Sequence, residues 1–173
     1  MPRAICALAL LLAACTPELD WREVRPAGTS VQGLMPCKPA SHARRVTLAG
    51  AEVEMTLYAC RAADATWAIA HADIADPARV TPALDELAAS AQRNVGAAVA
   101  PSSTSQAAAV PGMTPNPNAR VWRIEGRLPD QRAVVETVVV FAHGTRVVQA
   151  SVIAERADAA ALATFVESLR VKP

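Results

Sequence analysis

The sequence predicts an α+β fold: a mainly antiparallel sheet of about six strands with two helices packed on it. Three observations carry this expectation. Runs that alternate apolar and polar residues are followed by a run with helical spacing, and this order occurs twice along the chain. The runs are punctuated by Ala49-Gly50, Pro129-Asp130 and His143-Gly144, which are turn-forming pairs. Of 173 residues 52% are hydrophobic, which is enough for one domain with a real core. Alanine makes up about a fifth of the chain, however, so much of that fraction has little side chain to bury.

The first residues read Met1-Pro2-Arg3, then the apolar run Ala4 to Leu12, then Ala13-Ala14-Cys15. This is the charged, apolar and small-residue order of a secretory leader, so residues 1–14 are expected to be a signal peptide. About ten apolar residues precede Cys15, whereas a bilayer-spanning helix needs about 20, so a retained transmembrane helix is not expected. Leu12-Ala13-Ala14-Cys15 resembles the lipobox of bacterial lipoproteins. The resemblance implies that the Cys15 thiol receives a diacylglyceryl group, that the leader is cut just before it, and that the new amine is acylated. Two or more acyl chains anchor a protein stably where one is marginal, so the expected partner of the N-terminus is a membrane. Thr16 rather than an acidic residue follows the cysteine, which by the same resemblance implies the outer membrane, facing the periplasm.

The chain has four cysteines; with Cys6 in the leader and Cys15 lipidated, Cys37 and Cys60 remain. An even pair in an exported chain reads as a disulfide. Metal binding would need more ligands, and His42 is the only imidazole in the intervening loop. A CxxC redox pair is absent.

Residues 15–30 contain Pro17, Pro26 and Gly28 with mixed charge and read as a tether, with Trp21 packing locally. A single domain is expected over 31–173. Val31 to Met35 is a short strand ended by Pro36 and Pro39, since proline cannot donate to a ladder. Val46 to Leu48 and Ala51 to Cys60 flank the first turn. The second of these alternates Ala51, Val53, Met55 and Leu57 with Glu52, Glu54, Thr56 and Tyr58, the pattern of a half-buried strand. Thr66 to Ala72 places Trp67, Ile69 and His71 on one face and only alanine on the other, which suggests close packing under a helix.

Thr81-Pro82 is a capping hydroxyl with proline at the first helical position. Leu84, Leu87, Ala91 and Val95 then share one face, and Gly96 ends the helix. Residues 97–119 are rich in Ala, Ser, Pro, Gly and Asn and are expected to form a flexible loop. Three strands in a meander follow, over Arg120 to Leu128, Ala133 to Ala142 and Arg146 to Ala154. The middle one is apolar on both faces apart from Glu136 and Thr137, as an interior strand should be. Asp158 caps a last helix carrying Leu162, Phe165, Val166 and Leu169 on one stripe.

The opening Val31-Gln32-Gly33-Leu34-Met35-Pro36-Cys37-Lys38-Pro39 resembles the start of small PsbP/Mog1-like domains, and Phe165 to Val171 resembles their closing helix. Met35 and Cys37 stand where those domains usually have an aromatic residue and a glycine. The resemblance covers most of residues 31–172 and implies an α/β sandwich, in a family made up mostly of binding or assembly factors.

Seventeen basic against 16 acidic residues give no electrostatic footprint for nucleic acid. No nucleophile elbow, phosphate-binding loop or zinc-protease helix is present, so neither enzymatic activity nor a metal or cofactor is expected. His42, His71 and His143 fall in a loop, on a strand and at a turn. His71 near Asp73 reads as a polar pair rather than an oriented base. Glu52 and Glu54 read as a solvated face rather than a catalytic pair. Arg44, Arg45, Arg120, Arg123 and Arg127 would form a basic stripe if their strands adjoin, with pairing to Glu125 as the simpler outcome. Trp21, Trp67, Trp122 and Tyr58 are too few for a stacking platform. The expected function is that of a non-enzymatic envelope lipoprotein that binds or helps assemble another envelope protein. The alternative is a small-ligand or lipid-binding domain facing the periplasm, its pocket between sheet and helix and lined by Leu84, Leu87 and strand residues.

Overall fold

The alternating runs of the sequence become strands, and the helical runs become helices that bury one stripe. The computed structural model describes residues 18–96 and 104–172 and shows an α+β fold. The first half contains β1 (Arg22–Val24), β2 (Val31–Met35), β3 (Ala40–Leu48), β4 (Ala51–Ala62), β5 (Ala65–Asp73) and α1 (Val80–Asn94). The second contains β6 (Thr104–Ala107), β7 (Arg120–Arg127), β8 (Ala133–His143), β9 (Arg146–Ala154), α2 (Ala159–Ser168) and β10 (Arg170–Val171). Seven strands form one antiparallel sheet in the order β3-β4-β5-β9-β8-β7-β6, and β1, β2 and β10 form a small three-stranded sheet. The expected signal peptide, Cys15 and the first part of the expected loop, residues 97–103, lie outside the described residues.

The meander over 120–154 pairs as its turns suggested, with Arg120 opposite Val140 and Val135 opposite Ala154. The two halves of the chain join where β5 pairs with β9, from Thr66 opposite Ile153 to Asp73 opposite Arg146. Side chains alternate across this sheet, so it has two buried faces. One carries Trp67, Ile69, Phe141 and Val148 under Phe165 and Leu169, with Met35 of β2 in the same cluster. The other carries Val138, Val140 and Val147 under Leu84, Leu87 and Ala91 of α1. Trp67 meets Phe165 edge-on with ring centroids 5.4 Å apart and Trp21 at 6.0 Å, so aromatic contacts join β5, α2 and the segment just before β1. Cys37, just beyond β2, is disulfide-bonded to Cys60 on β4, which ties the small sheet to the large one.

Several boundaries differ from the sequence expectation. The strand expected at Val46 to Leu48 begins at Ala40, because an edge strand exposed along most of its length needs no apolar alternation. Thr81 does not cap α1: Asp76 caps a 3-10 turn at Pro77–Arg79 that leads into the helix, and Thr81 instead accepts from Asn116 at 2.9 Å. Asp158 does cap α2, accepting from Ala161 N–H at 2.7 Å. β1 lies in the stretch read as a tether, and β6 in the stretch read as a loop. Residues 108–114 are fastened by backbone bonds from Ala108 to Ala119, from Thr114 to Ala142 and from Val171 to Pro111.

At Gly126 of β7 the C-cap residue of α1, Val95, lies directly on the sheet. A Cβ there would lie 2.1 Å from the Val95 carbonyl oxygen, which already accepts from the Arg127 N–H at 2.6 Å. Backbone on both sides cannot yield as a flexible side chain would. Gly126→Ala is therefore expected to cost about 2 kcal/mol, within the range for overpacked sites, read as a lower urea midpoint with an unchanged slope. An unaltered midpoint would mean that the Val95 turn moves aside freely.

Candidate functional site

α1 packs mainly on β8 and β9 and leaves the same face of β3, β4 and β5 partly uncovered. The uncovered part is a cleft of about 580 Å³. Its floor follows from strand register: His42, Leu57, Ala70 and Gln149 lie in one row, Ala59, Ala68 and Ser151 in the next, and Thr66, Ile153 and Glu136 in a third. Glu86, Leu87, Ser90, Arg93 and Asn94 of α1 form the side wall. The space exists because alanine at 59, 68 and 70 is too small to fill the gap beside the helix. On the alanine face of β5, Ala72 is buried in the cluster with α1, as close packing under a helix requires, while Ala68 and Ala70 floor the cavity. Leu87 lines it as anticipated, while Leu84 points into the core and is fully buried.

Glu136 is the chemical peculiarity of this cleft. It sits on interior strand β8 at 1% exposure, and one carboxyl oxygen, Oε2, has no hydrogen-bond partner. Burial penalises the charged form and pushes its pKa up to about 7, although the nearby Ser151 hydroxyl favours the carboxylate. Five buried side-chain atoms among the described residues lack a partner, and only this one belongs to the cleft lining. Such an atom costs free energy that a ligand group can recover. At the rim, the Glu86 carboxylate accepts from the Ala49 N–H at 2.6 Å. The Arg44 and Arg93 guanidiniums make no ion pair among the described residues. A second and more open depression, about 470 Å³, lies beside α2 against β6, β7 and β8.

The residues singled out in the sequence are dispersed. His71 stacks on Tyr58 with ring centroids 6.2 Å apart, and burial and the nearby Arg146 charge hold its pKa below the usual histidine value. It makes no pair with Asp73, whose carboxylate instead accepts from Ala75 N–H, Thr145 and Arg146. These bonds, those to Ala75 and Thr145 foremost, keep Asp73 below the ordinary carboxylate value. His143 bonds through Nδ1 to the Gly112 carbonyl at 3.0 Å and secures a loop. Glu52 and Glu54 are both exposed. The basic residues form no stripe, since four strands separate β3 from β7 and Arg123 pairs with Glu125 at 2.5 Å. His42 and Arg44 do converge, but on the cleft. Among the described residues no three His, Cys, Asp or Glu side chains group as metal ligands, and no helix is long and apolar enough to cross a membrane. No protein-family model matches this chain, and no curated protein or solved structure matches it either.

Proposed function

We propose that this chain is a non-enzymatic, lipid-anchored binding domain of the bacterial envelope that holds a small ligand in the cleft between α1 and the sheet. The observation that carries this reading is the unpartnered Glu136 oxygen in the wall of an alanine-floored cavity. A mostly apolar cleft with a few placed polar groups is the usual form of a small-molecule site. The helix on each sheet face supports a PsbP/Mog1-like α/β sandwich as the frame, a type of domain that mostly binds or assembles. The anchor rests on the lipobox-like Leu12-Ala13-Ala14-Cys15, and Thr16 favours the outer membrane, facing the periplasm. A second reading, assembly of another envelope protein, is favoured by Leu57, 37% exposed beside edge strand β3.

Organic extraction of protein purified from native membranes, followed by mass spectrometry, tests the first reading. A recurrent small molecule is expected, and it should be lost from a folded Ala68→Phe variant whose ring projects into the middle of the cleft floor. A recurrent crosslinked protein with no extractable molecule would favour the second reading. Cys15→Ser is expected to lack the acyl mass and to leave the membrane fraction; an unchanged mass and distribution would remove the anchor from the proposal.

A further inference from the structure

The two ends of the cleft carry opposite chemistry. At the inner end, on β8, lies the Glu136 carboxyl with its unpartnered oxygen; at the outer end, on β3, lies Arg44, while Arg93 lines the cleft from the C-terminal turn of α1. Four strand spacings separate β8 from β3, about 19 Å across the sheet, and the row of Arg44 meets β8 at Ala142, six residues along from Glu136. Between the ends the floor is largely Leu57, Ala59, Ala68 and Ala70. We propose that the cleft takes an elongated amphipathic molecule with a protonated amine at its inner end, seated against Glu136, and an acidic group at its outer end, against the Arg44 guanidinium.

This inference rests on the ligand-binding reading above and names the ligand's class. A hydrocarbon tail laid inward would leave the Glu136 oxygen still without a partner, at the cost of a buried unsatisfied group. An inward carboxylate would meet a like charge as soon as both groups ionised. An ammonium supplies three donors, one for the Glu136 carboxylate and another for the Ser151 hydroxyl oxygen beside it. As the ammonium settles, Glu136 gives up its own proton to solvent and the buried pair forms without a net buried charge. At the rim, a guanidinium fork is suited to a carboxylate or phosphate. The other titratable groups on the lining are His42 on β3 and Glu86 on α1, while β4, β5 and β9 contribute none.

The test is isothermal titration calorimetry of the full chain carrying Cys15→Ser with 12-aminododecanoate, dodecanoate and dodecylamine, each below its micelle concentration. The bifunctional molecule is expected to bind at least tenfold more tightly than either single-headed one. Glu136→Gln should erase its advantage over dodecanoate, and Arg44→Ala should erase its advantage over dodecylamine. At pH 6 the parent should release about one proton per amine bound, seen as a dependence of the heat on buffer ionisation enthalpy, and Glu136→Gln should release none. Equal affinity for all three probes, abolished by Ala68→Phe, would overturn the inference and leave the ligand-binding reading standing. No binding of any probe would also overturn the inference. If in addition the extracted molecule persisted in folded Ala68→Phe, the ligand-binding reading would fall too.

Discussion

Replacing both disulfide cysteines, Cys37→Ser with Cys60→Ser, is expected to lower the stability of the chain by about 3.5 kcal/mol. The bond joins residues 23 apart in sequence. In the chain-entropy description, closing a loop of about 24 residues removes about 11.5 cal/mol/K from the unfolded ensemble, which is about 3.5 kcal/mol at 25 °C. That is a large share of the 5–15 kcal/mol typical of a domain. The position adds to the argument. Cys37 follows β2, whose partners β1 and β10 contribute only three and two residues, so the small sheet has few ladder bonds of its own. Cys60 lies opposite Trp67 in the β4–β5 ladder, and Trp67 touches Trp21. Losing the tie should loosen Trp21 as well as lower the urea midpoint. Thiol reduction of the parent should reproduce the variant's midpoint and the change in tryptophan fluorescence. If parent, reduced parent and double variant shared one midpoint, the packing of β2 against α2 would be closing the loop unaided.

The parts of the fold that were legible in the sequence are those in which burial is one-sided and turns are chemically marked. β4 alternates because Val53 and Met55 meet the core under α1 while Glu52 and Glu54 face solvent, although Leu57, next on the apolar face, lies on the open cleft; Ala49-Gly50, with φ of 50° and 72°, makes the tight turn before the strand. The Leu162, Phe165, Val166 stripe of α2 was readable for the same reason. The elements that were missed are edges. Seven of the nine residues of β3, Ala40 to Arg45 and Thr47, are exposed, so Ala-Ser-His-Ala-Arg-Arg carries no periodic signal and only its end was visible. β6 is four residues long and was hidden in an Ala/Ser-rich stretch. The disulfide was legible because the expected leader and lipidation set Cys6 and Cys15 aside and leave Cys37 and Cys60 as one pair. In the site, Glu136 was conspicuous as an acid within an otherwise apolar strand, yet nothing in one strand says what lies opposite it. The alanines at 59, 68 and 70 were readable as small, but whether small residues admit a helix or leave a void depends on where α1 lies across the sheet. That position is set by distant contacts, among them Val95 against Gly126.

Glu136→Gln is expected to make the chain more stable in neutral and alkaline solution and to leave it nearly unchanged in acid. The sign follows from proton binding. Burial raises the Glu136 pKa from 4.5 to about 7 in the folded state. Between those values the native chain holds a proton that the unfolded chain has released, so stability falls as pH rises through this window. Below about pH 4.5 both states are protonated and the penalty is absent; above about pH 7 it is complete. A shift of about 2.5 pH units corresponds to about 3 kcal/mol, at about 1.36 kcal/mol per unit. Glutamine has the same shape but no charge to desolvate, so the variant escapes the decline. Glu23, Asp73 and Asp130, whose pKa values are lowered, act in the opposite direction by losing stability as pH falls. His71, also lowered, disfavours the folded state in acid because the unfolded imidazole takes up a proton first. All four are shared by parent and variant, so they bend both stability curves and cancel in their difference. Urea titrations of the two chains at intervals from pH 4 to pH 8.5 should therefore give a difference that is small at the acid end, grows through the window and levels off near 3 kcal/mol in favour of the variant. A difference that stayed flat across the range would mean that the Glu136 carboxyl ionises as easily in the folded chain as in the unfolded one. The cleft wall would then be wet, and the unpartnered oxygen would be bonded to water rather than waiting for a ligand.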